Sequence, residues 1–391
     1  MKVMNVVRPF LAWAGVAAGV AAGMALGCTA VAEEPELVRV EISSPEGTPR
    51  SIEGVVRVEA ADGGLLLEQA DGRLDVIQPD VIVSRTPCAP AAEPETPREL
   101  GLRILGELPP GFDLLVTKHY VICFDTSRQY AQWAGSLFER LHDGFTNFWT
   151  RAGFELVPAS RPLVVVIFAE RHRYEEHAAR DLGAATDRVV GYYNMLSNRV
   201  TTFDLTGSDA LRASRPGASR PTLDVLARPE AAGLVATLVH EATHQMAFNS
   251  GMHRRLAPVP LWVCEGLATY FEAPDLSSDR GWRKIGGVNE PRKKQFFAAS
   301  TPGWLQNLLR DDEALRRPDA ATDAYAQAWA LTAYLIQTKK ERFVEYLAVL
   351  AAKQPFDDDP ADLRIAEFSA AFGPADASME EAVAKFLGRM R

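Results

Sequence analysis

With 391 residues, of which 47% are hydrophobic and 24% are charged, the chain has a globular composition that excludes collagen-like and intrinsically disordered proteins. Its formal net charge of −9 provides no basic surface for a nucleic acid, so we expect no nucleic-acid partner. The length is sufficient for one large domain and one small domain.

The N-terminus has the layout of an export signal. Two basic residues precede an apolar run at 10–26, and an A-x-A pattern ends at Ala32. This pattern predicts a signal peptide over residues 1–32 and a protein that is exported to the periplasm or secreted. Two alternatives stay open: the run is nearly long enough to remain as a membrane anchor, and the sequence before Cys28 loosely resembles a lipoprotein cleavage site.

The rest of the chain divides into three regions. In residues 33–86, short alternating apolar runs are separated by Gly, Pro and Asp, which predicts roughly four or five strands in a small β-barrel-like module or meander. Residues 87–98 contain four prolines and are predicted to form a semi-rigid linker. Residues 99–391 are predicted to form the main domain.

In the main domain, strand patterns first alternate with helical patterns, and a purely helical region follows. Predicted strands are 114–124, 162–168 and 189–203; predicted helices are 128–150, 171–181, 229–249, 261–272, 304–316, 322–338, 340–353 and 377–389. Residues 205–228 are predicted to be an exposed loop. The fold class expected from this order is α+β, with helices packed on a mixed sheet and a helical C-terminal half.

The decisive motif is His240-Glu241-Ala242-Thr243-His244, in a predicted helix. Residues four apart in an α-helix lie on one face, so both imidazoles can reach one tetrahedral zinc ion, while Glu241 is turned about 100° away from His240. Its carboxylate then lies beside the open metal position, where it can take a proton from a water whose pKa zinc lowers to about 7. The spacing therefore predicts a hydrolytic zinc site.

Glu265 is the predicted third metal ligand. It follows His244 after 20 intervening residues, within the sequence P-L-W-V-C-E-G-L-A-T-Y-F-E, which is typical of a second helix. A helix, a turn and an antiparallel helix can bring its carboxylate back to the metal. The small residues Gly266 and Ala268 allow the two helices to approach closely.

The combination of HEATH with W-x-x-E-G-x-A-x-Y-F-E about 20 residues later resembles the gluzincin metallopeptidases, over roughly residues 113–350. This group includes the thermolysin-like and M1 aminopeptidase-like enzymes, and the resemblance is closest to their bacterial peptidase-MA-like relatives. It implies zinc bound by His240, His244 and Glu265, with Glu241 as the general base. A mixed sheet beside the active-site helix and a helical C-terminal half are also implied.

Outside these motifs, one residue matches the family pattern and two features depart from it. Tyr325 lies 60 residues past Glu265, about where M1-like enzymes carry a catalytic tyrosine that stabilises the oxyanion; a packing tyrosine is the alternative. No G-x-M-E-N stretch precedes the zinc helix, which disfavours aminopeptidase activity. Thr269 stands where thermolysin-like enzymes have an Asp that orients a ligand histidine, and Glu272 is the candidate to replace it.

These observations favour a zinc-dependent hydrolase, an endopeptidase that acts on a peptide or protein substrate outside the cytoplasm. The alternative is a non-catalytic binding protein of the cell envelope that keeps the gluzincin fold. An intact Glu241 favours the enzyme, because a fold kept only for binding does not need a base beside the metal.

Overall fold

The computed structural model describes most of the chain, namely residues 36–43, 49–89, 95–183, 186, 189–207, 226, 231–272 and 285–390. The predicted signal peptide, and most of the predicted loop at 205–228, lie outside the described residues. Within them, no helix is both long enough and apolar enough to cross a membrane.

The N-terminal module is a five-stranded antiparallel sheet with the strand order β4-β3-β2-β1-β5. Its strands are β1 (Leu37–Ile42), β2 (Arg50–Glu59), β3 (Leu65–Glu68), β4 (Leu74–Ile77) and β5 (Ile82–Pro87). Alternate residues such as Val38 and Val40 are buried in a small core of their own, as the period of two in a strand requires. Strands β4 and β5 form the two edges of the sheet.

The first helix, α1 (Pro97–Leu105), begins inside the stretch predicted as a linker. Thr96 caps it by accepting a hydrogen bond from the backbone N–H of Glu99, whose side chain accepts one from the N–H of Thr96. A Thr-x-x-Glu capping box with proline at the first helical position is a strong signal for a helix start. The four prolines of residues 87–98 favoured a linker, so the sequence prediction placed no helix there.

The sheet of the main domain is mixed, with the strand order β6-β7-β8-β10-β9. Its strands are β6 (Asp113–Val116), β7 (Tyr120–Phe124), β8 (Leu163–Phe168), β9 (Gly191–Asn194) and β10 (Arg199–Phe203). The central pairs β7–β8 and β8–β10 are parallel, whereas the outer pairs β6–β7 and β9–β10 are antiparallel hairpins. The prediction of one continuous strand at 114–124 and one at 189–203 was wrong, because each range forms two antiparallel strands joined by a short turn.

Helices cover both faces of this sheet. On β9, Tyr192 packs toward Tyr174 of α3 (Arg171–Leu182), and its neighbour Tyr193 packs toward Phe248 of α4 (Ala232–Asn249). Since neighbouring strand residues point to opposite faces, α3 and α4 lie on opposite faces. The long helix α2 (Arg128–Ala152) packs on the sheet beside α4.

The C-terminal half is helical, which confirms the predicted fold class. Its helices are α5 (Leu261–Phe271), α6 (Glu290–Ala299), α7 (Trp304–Arg310), α8 (Glu313–Arg316), α9 (Ala321–Thr338), α10 (Lys340–Ala352), α11 (Ala361–Phe372) and α12 (Ala377–Arg389). The predicted helix 304–316 breaks near Asp311, and α6 and α11 were not predicted. Helix α9 is buried along most of its length and packs against α5 and α6, so it forms the centre of this half.

Candidate metal centre

Helix α4 carries the histidine motif into the core. Its sequence is apolar around almost the whole circumference, and His240, Glu241 and His244 are at most 2% exposed. The two histidines are one helical turn apart, and their ring centroids lie 4.7 Å from each other. Burial of three ionisable side chains on an apolar helix is costly unless partners compensate each of them.

Helix α5 supplies the first of these partners, Glu265. Its Oε2 lies 3.0 Å from Nε2 of His240 and 3.6 Å from Nε2 of His244, and the two Nε2 atoms are 3.0 Å apart. One donor atom from each side chain falls within 4.8 Å of the others. The structure thus brings the three predicted metal ligands together in one buried cluster.

The arrangement of these donor atoms fits a tetrahedral cation. Zinc bound to imidazole nitrogen and carboxylate oxygen at about 2.0–2.2 Å separates its donors by about 3.3–3.6 Å. The three observed separations, 3.0, 3.0 and 3.6 Å, are close to that spacing. Two imidazole nitrogens and one carboxylate oxygen are also a donor set that divalent transition metals accept.

The electrostatics of the cluster favour a positive charge at its centre. Burial lowers the pKa of His240, but hydrogen bonds to Glu265 and Glu272 outweigh burial and raise it to about 10. Burial raises the pKa of Glu265, but His244 and His240 outweigh burial and lower it to about 2. Burial lowers the pKa of His244, so this imidazole is neutral and able to act as a ligand.

Glu272 lies directly behind the cluster. Its Oε1 is 2.8 Å from Nδ1 of His240, so a proton on Nδ1 leaves the Nε2 lone pair directed at the cluster. Asn289 donates to the other carboxylate oxygen at 3.1 Å, and Arg292 lies 3.5 Å from Oε1. Glu272 therefore occupies the place that the sequence suggested. Sequence reasoning missed Asn289 and Arg292, although Asn-Glu-Pro at the start of α6 is a recognisable helix cap.

Glu241 follows His240 in α4, and its carboxylate contacts strand β9 of the main sheet. Its Oε2 accepts a hydrogen bond of 2.8 Å from the backbone N–H of Tyr193 in β9. Its Oε1 is buried and has no hydrogen-bond partner among the described residues. Burial is the main reason that the pKa of Glu241 is raised to about 8. A buried carboxylate oxygen without a partner is rare in folded proteins.

Tyr325 reaches the same cluster from α9. Its ring centroid is 6.3 Å from that of His240. Burial, followed by the charge of Glu265 and a hydrogen bond to it, raises the pKa of the phenol well above its ordinary value. The guanidinium of Arg292 lies over the tyrosine ring, 5.3 Å from its centroid, a favourable cation–π geometry. The structure thus places Tyr325 beside Glu265, with its hydroxyl protonated.

Helices α5 and α9 pack closely at this point. A Cβ atom added to Gly266 would lie 2.1 Å from Oγ1 of Thr332 and 2.9 Å from the carbonyl oxygen of Ala328. Only glycine permits that approach. Gly266 thereby holds its neighbour Glu265 against the histidines and near Tyr325.

A comparison with protein families gives one match, and it covers this centre. A model described as a protein of unknown function (DUF1570) matches residues 234–357. That stretch contains the donor cluster, Glu241, Glu272 and Tyr325. No curated protein matches the chain. The fold and the site together define an α+β protein with a buried His-His-Glu cluster that can hold a metal ion, an arrangement compatible with a zincin-like site.

Proposed function

We propose that this protein is a zinc-dependent hydrolase, an endopeptidase that cleaves amide bonds outside the cytoplasm. The observation that carries the proposal is Glu241, which is buried next to His240 of the donor cluster and whose Oε1 has no hydrogen-bond partner among the described residues. Structural zinc sites are usually closed sets of four Cys and His ligands. A set of two histidines and one carboxylate, with a spare carboxylate alongside, is instead the arrangement that hydrolysis requires.

Zinc is the metal that this donor set favours among common ions, since calcium and magnesium prefer sites made of oxygen atoms alone. His240, His244 and Glu265 would hold it, and Glu272 would fix the ring of His240. When bound, zinc supplies a Lewis acid that polarises a carbonyl group and makes water more acidic.

Glu241 is assigned the proton transfers. The N–H of Tyr193 fixes one carboxylate oxygen, so the other can accept a proton from the attacking water and deliver it to the leaving amine. Burial is the largest of the effects that together raise the pKa of Glu241 to about 8, and a cation held by His240, His244 and Glu265 would lower it. The carboxylate is then ionised near neutral pH, with a pKa close to that of an efficient base.

Tyr325 is assigned to the oxyanion. Because its phenol stays protonated, it can donate a hydrogen bond to the charge that develops on the carbonyl oxygen. The hydroxyl is hydrogen-bonded to Glu265, so donation to a substrate oxygen requires it to exchange that partner.

A peptide is the substrate class that the surroundings favour. Strand β9 is an edge strand of the main sheet and contributes Tyr193 directly to Glu241. An extended peptide can add to such an edge through its backbone. The export signal predicted for residues 1–32 supports action in the periplasm or outside the cell, with or without attachment to the membrane through the N-terminus.

Glu241→Gln tests this function. On a broad panel of peptides, we expect turnover to fall by roughly 10²–10⁴-fold with zinc content unchanged, because glutamine cannot accept the proton. Glu290→Gln is the matched control, since Glu290 is exposed at the start of α6 and should keep full activity. Wild-type turnover in Glu241→Gln would contradict the assignment. Zinc binding without hydrolysis of any peptide by the wild type would favour the envelope-binding alternative.

A further inference from the structure

The turn between β9 and β10 (residues 195–198, here the hairpin turn) lies between the N-terminal sheet and helix α4. On one side, the N–H at the start of β4, that of Leu74, donates to the carbonyl oxygen of Leu196 at 2.7 Å. On the other side, Gln245 of α4 donates to the carbonyl oxygen of Asn198 at 3.0 Å. The hairpin turn therefore contacts both the N-terminal sheet and α4, the helix that carries His240 and His244.

Arg255 joins the same elements. It follows α4 in the chain, and its side chain is only 9% exposed. A single nitrogen, Nη1, donates to the carbonyl oxygen of Gly72, in the turn between β3 and β4, at 2.6 Å and to that of Met195 in the hairpin turn at 3.0 Å. The next residue, Leu256, has a φ of +63°, which is unfavourable for a branched side chain and indicates a backbone held by its surroundings.

Ion pairs that are largely shielded from solvent hold the N-terminal sheet in this place. Glu68 pairs with Arg161 of the main domain and lies 3.6 Å from Arg255. Asp71, with 3% of its side chain exposed, lies 3.6 Å from Arg199 of β10. Removing one partner of such a pair is unfavourable, so these contacts hold the N-terminal sheet against the main domain.

Hydrogen bonds also connect the hairpin turn with Glu241. The hydroxyl of Tyr193 donates to the side-chain oxygen of Asn198 at 2.7 Å, and the backbone N–H of Tyr193 donates to Oε2 of Glu241 at 2.8 Å. Tyr193 is itself fully buried. Displacement of the hairpin turn would therefore move the only described group that fixes the carboxylate of Glu241.

We propose that Arg255 is a positioning residue: it ties the N-terminal sheet to the hairpin turn and thereby sets the orientation of the Glu241 carboxylate. The catalytic consequence rests on the proposed function, whereas the structural link does not. The N-terminal sheet then serves the active site and is not a separate binding module.

The test compares Arg255→Met with Arg57→Met in the full chain. Arg57 also pairs with Glu68, but it is 43% exposed and contacts Oε2 of that carboxylate, whereas Arg255 lies near Oε1, so Arg57 is the matched control. In Arg255→Met we expect hydrogen exchange at the Tyr193 amide to accelerate roughly tenfold. We expect kcat to fall about 10²-fold with KM and zinc content unchanged, as for a small misplacement of a catalytic group. Arg57→Met should behave as the wild type in all of these.

Two further variants complete the design. Arg255→Lys should restore slow exchange and most of kcat, because one ammonium nitrogen can donate to both carbonyl groups. If Arg255→Met does not fold, Arg255→Gln replaces it and the same readouts decide. Wild-type exchange at Tyr193 together with wild-type kcat would overturn the proposal. If the wild type hydrolyses no substrate, the proposed function fails, and the exchange measurement alone decides whether Arg255 holds the hairpin turn.

Discussion

At the residue scale, His240 has a partner for each of its ring nitrogens. Nδ1 contacts Glu272 at 2.8 Å, and Nε2 faces Glu265 and His244, each at 3.0 Å. A carboxylate behind a ligand histidine fixes the tautomer and strengthens the ligand. Glu272 is in turn held by Asn289 and Arg292, so the orientation of the His240 ring depends on helix α6.

Replacement of Glu272 by glutamine tests that dependence. The amide cannot supply the negative charge behind Nδ1, so we expect zinc affinity to fall by about 10–100-fold while the fold is retained. Competition with a chromophoric chelator at fixed pH measures the affinity. Glu290→Gln changes the same residue type at an exposed position nearby and should leave the affinity unchanged. An unaltered affinity in Glu272→Gln would show that the contact does not support the ligand.

The sequence predicted the residues of this centre unequally well. His240, Glu241 and His244 follow from helical spacing, and Glu265 follows from a second helix at a familiar distance. The contribution of Tyr193 was not foreseen, because it is made by a backbone N–H, which has no side-chain signature. The assignment of Tyr325 to the oxyanion remains a prediction, although the structure places it beside Glu265.

At the scale of secondary-structure elements, the contact between α5 and α9 determines where Glu265 lies. Gly266 faces Thr332 and Ala328 of α9 without space for a side chain. The surrounding residues of both helices are buried. Close packing of this kind transmits strain instead of absorbing it, so a methyl group at Gly266 must displace one helix.

We therefore expect Gly266→Ala to lower the free energy of unfolding by about 1–3 kcal/mol and to weaken zinc binding at the same time. Gly388→Ala in α12 is the matched control, because a Cβ there has no heavy atom within 4 Å; it should be neutral or stabilising by up to about 1 kcal/mol. Urea denaturation and zinc titration of both variants make the comparison. Equal stability of the two variants would contradict the close contact.

There are physical reasons why the sequence did not predict some of the elements. In α6, Phe296 is the one buried residue, so this helix has no apolar stripe to give a periodic signal. The two outer hairpins of the main sheet have apolar residues on both arms and only short turns between them, and each therefore reads as a single long strand. Long periodic helices such as α2 and α9 were predicted almost to their ends.

At the scale of the whole molecule, the N-terminal sheet and the main domain meet through charged side chains that are largely buried. Asp71 lies within 3.6 Å of three arginines, Arg73, Arg103 and Arg199. The sequence predicted a small β module followed by a semi-rigid linker, without these contacts. Two of these partners, Arg103 and Arg199, come from distant parts of the chain, and no local pattern in the sequence reveals such pairs.

Stability at this junction should depend on pH. Burial raises the pKa of Asp71, but hydrogen bonds and charges from Arg73 and Arg103 outweigh burial, so the pKa is lowered on folding. Asp71 therefore stabilises the folded state above its unfolded pKa of about 3.9, and that contribution is lost as pH falls through the lower folded value.

We expect the free energy of unfolding at pH 7 to be about 3 kcal/mol higher for the wild type than for Asp71→Asn. This difference should decrease below about pH 4. Urea denaturation from pH 3 to 7 measures this difference. Asp80→Asn, at an exposed position of the same module, should match the wild type throughout. A gap between wild type and Asp71→Asn that does not change with pH would contradict the ionic account.

The most direct test of the metal centre is the zinc content of purified protein after reconstitution, measured for the wild type, His244→Ala and His172→Ala. His172 is the control because 64% of its side chain is exposed and it is not one of the three predicted ligands. The geometry predicts about one zinc ion per chain in the wild type and in His172→Ala, and almost none in His244→Ala. Absence of zinc from the wild type, or equal zinc in all three proteins, would contradict the assignment of His240, His244 and Glu265 as a metal site.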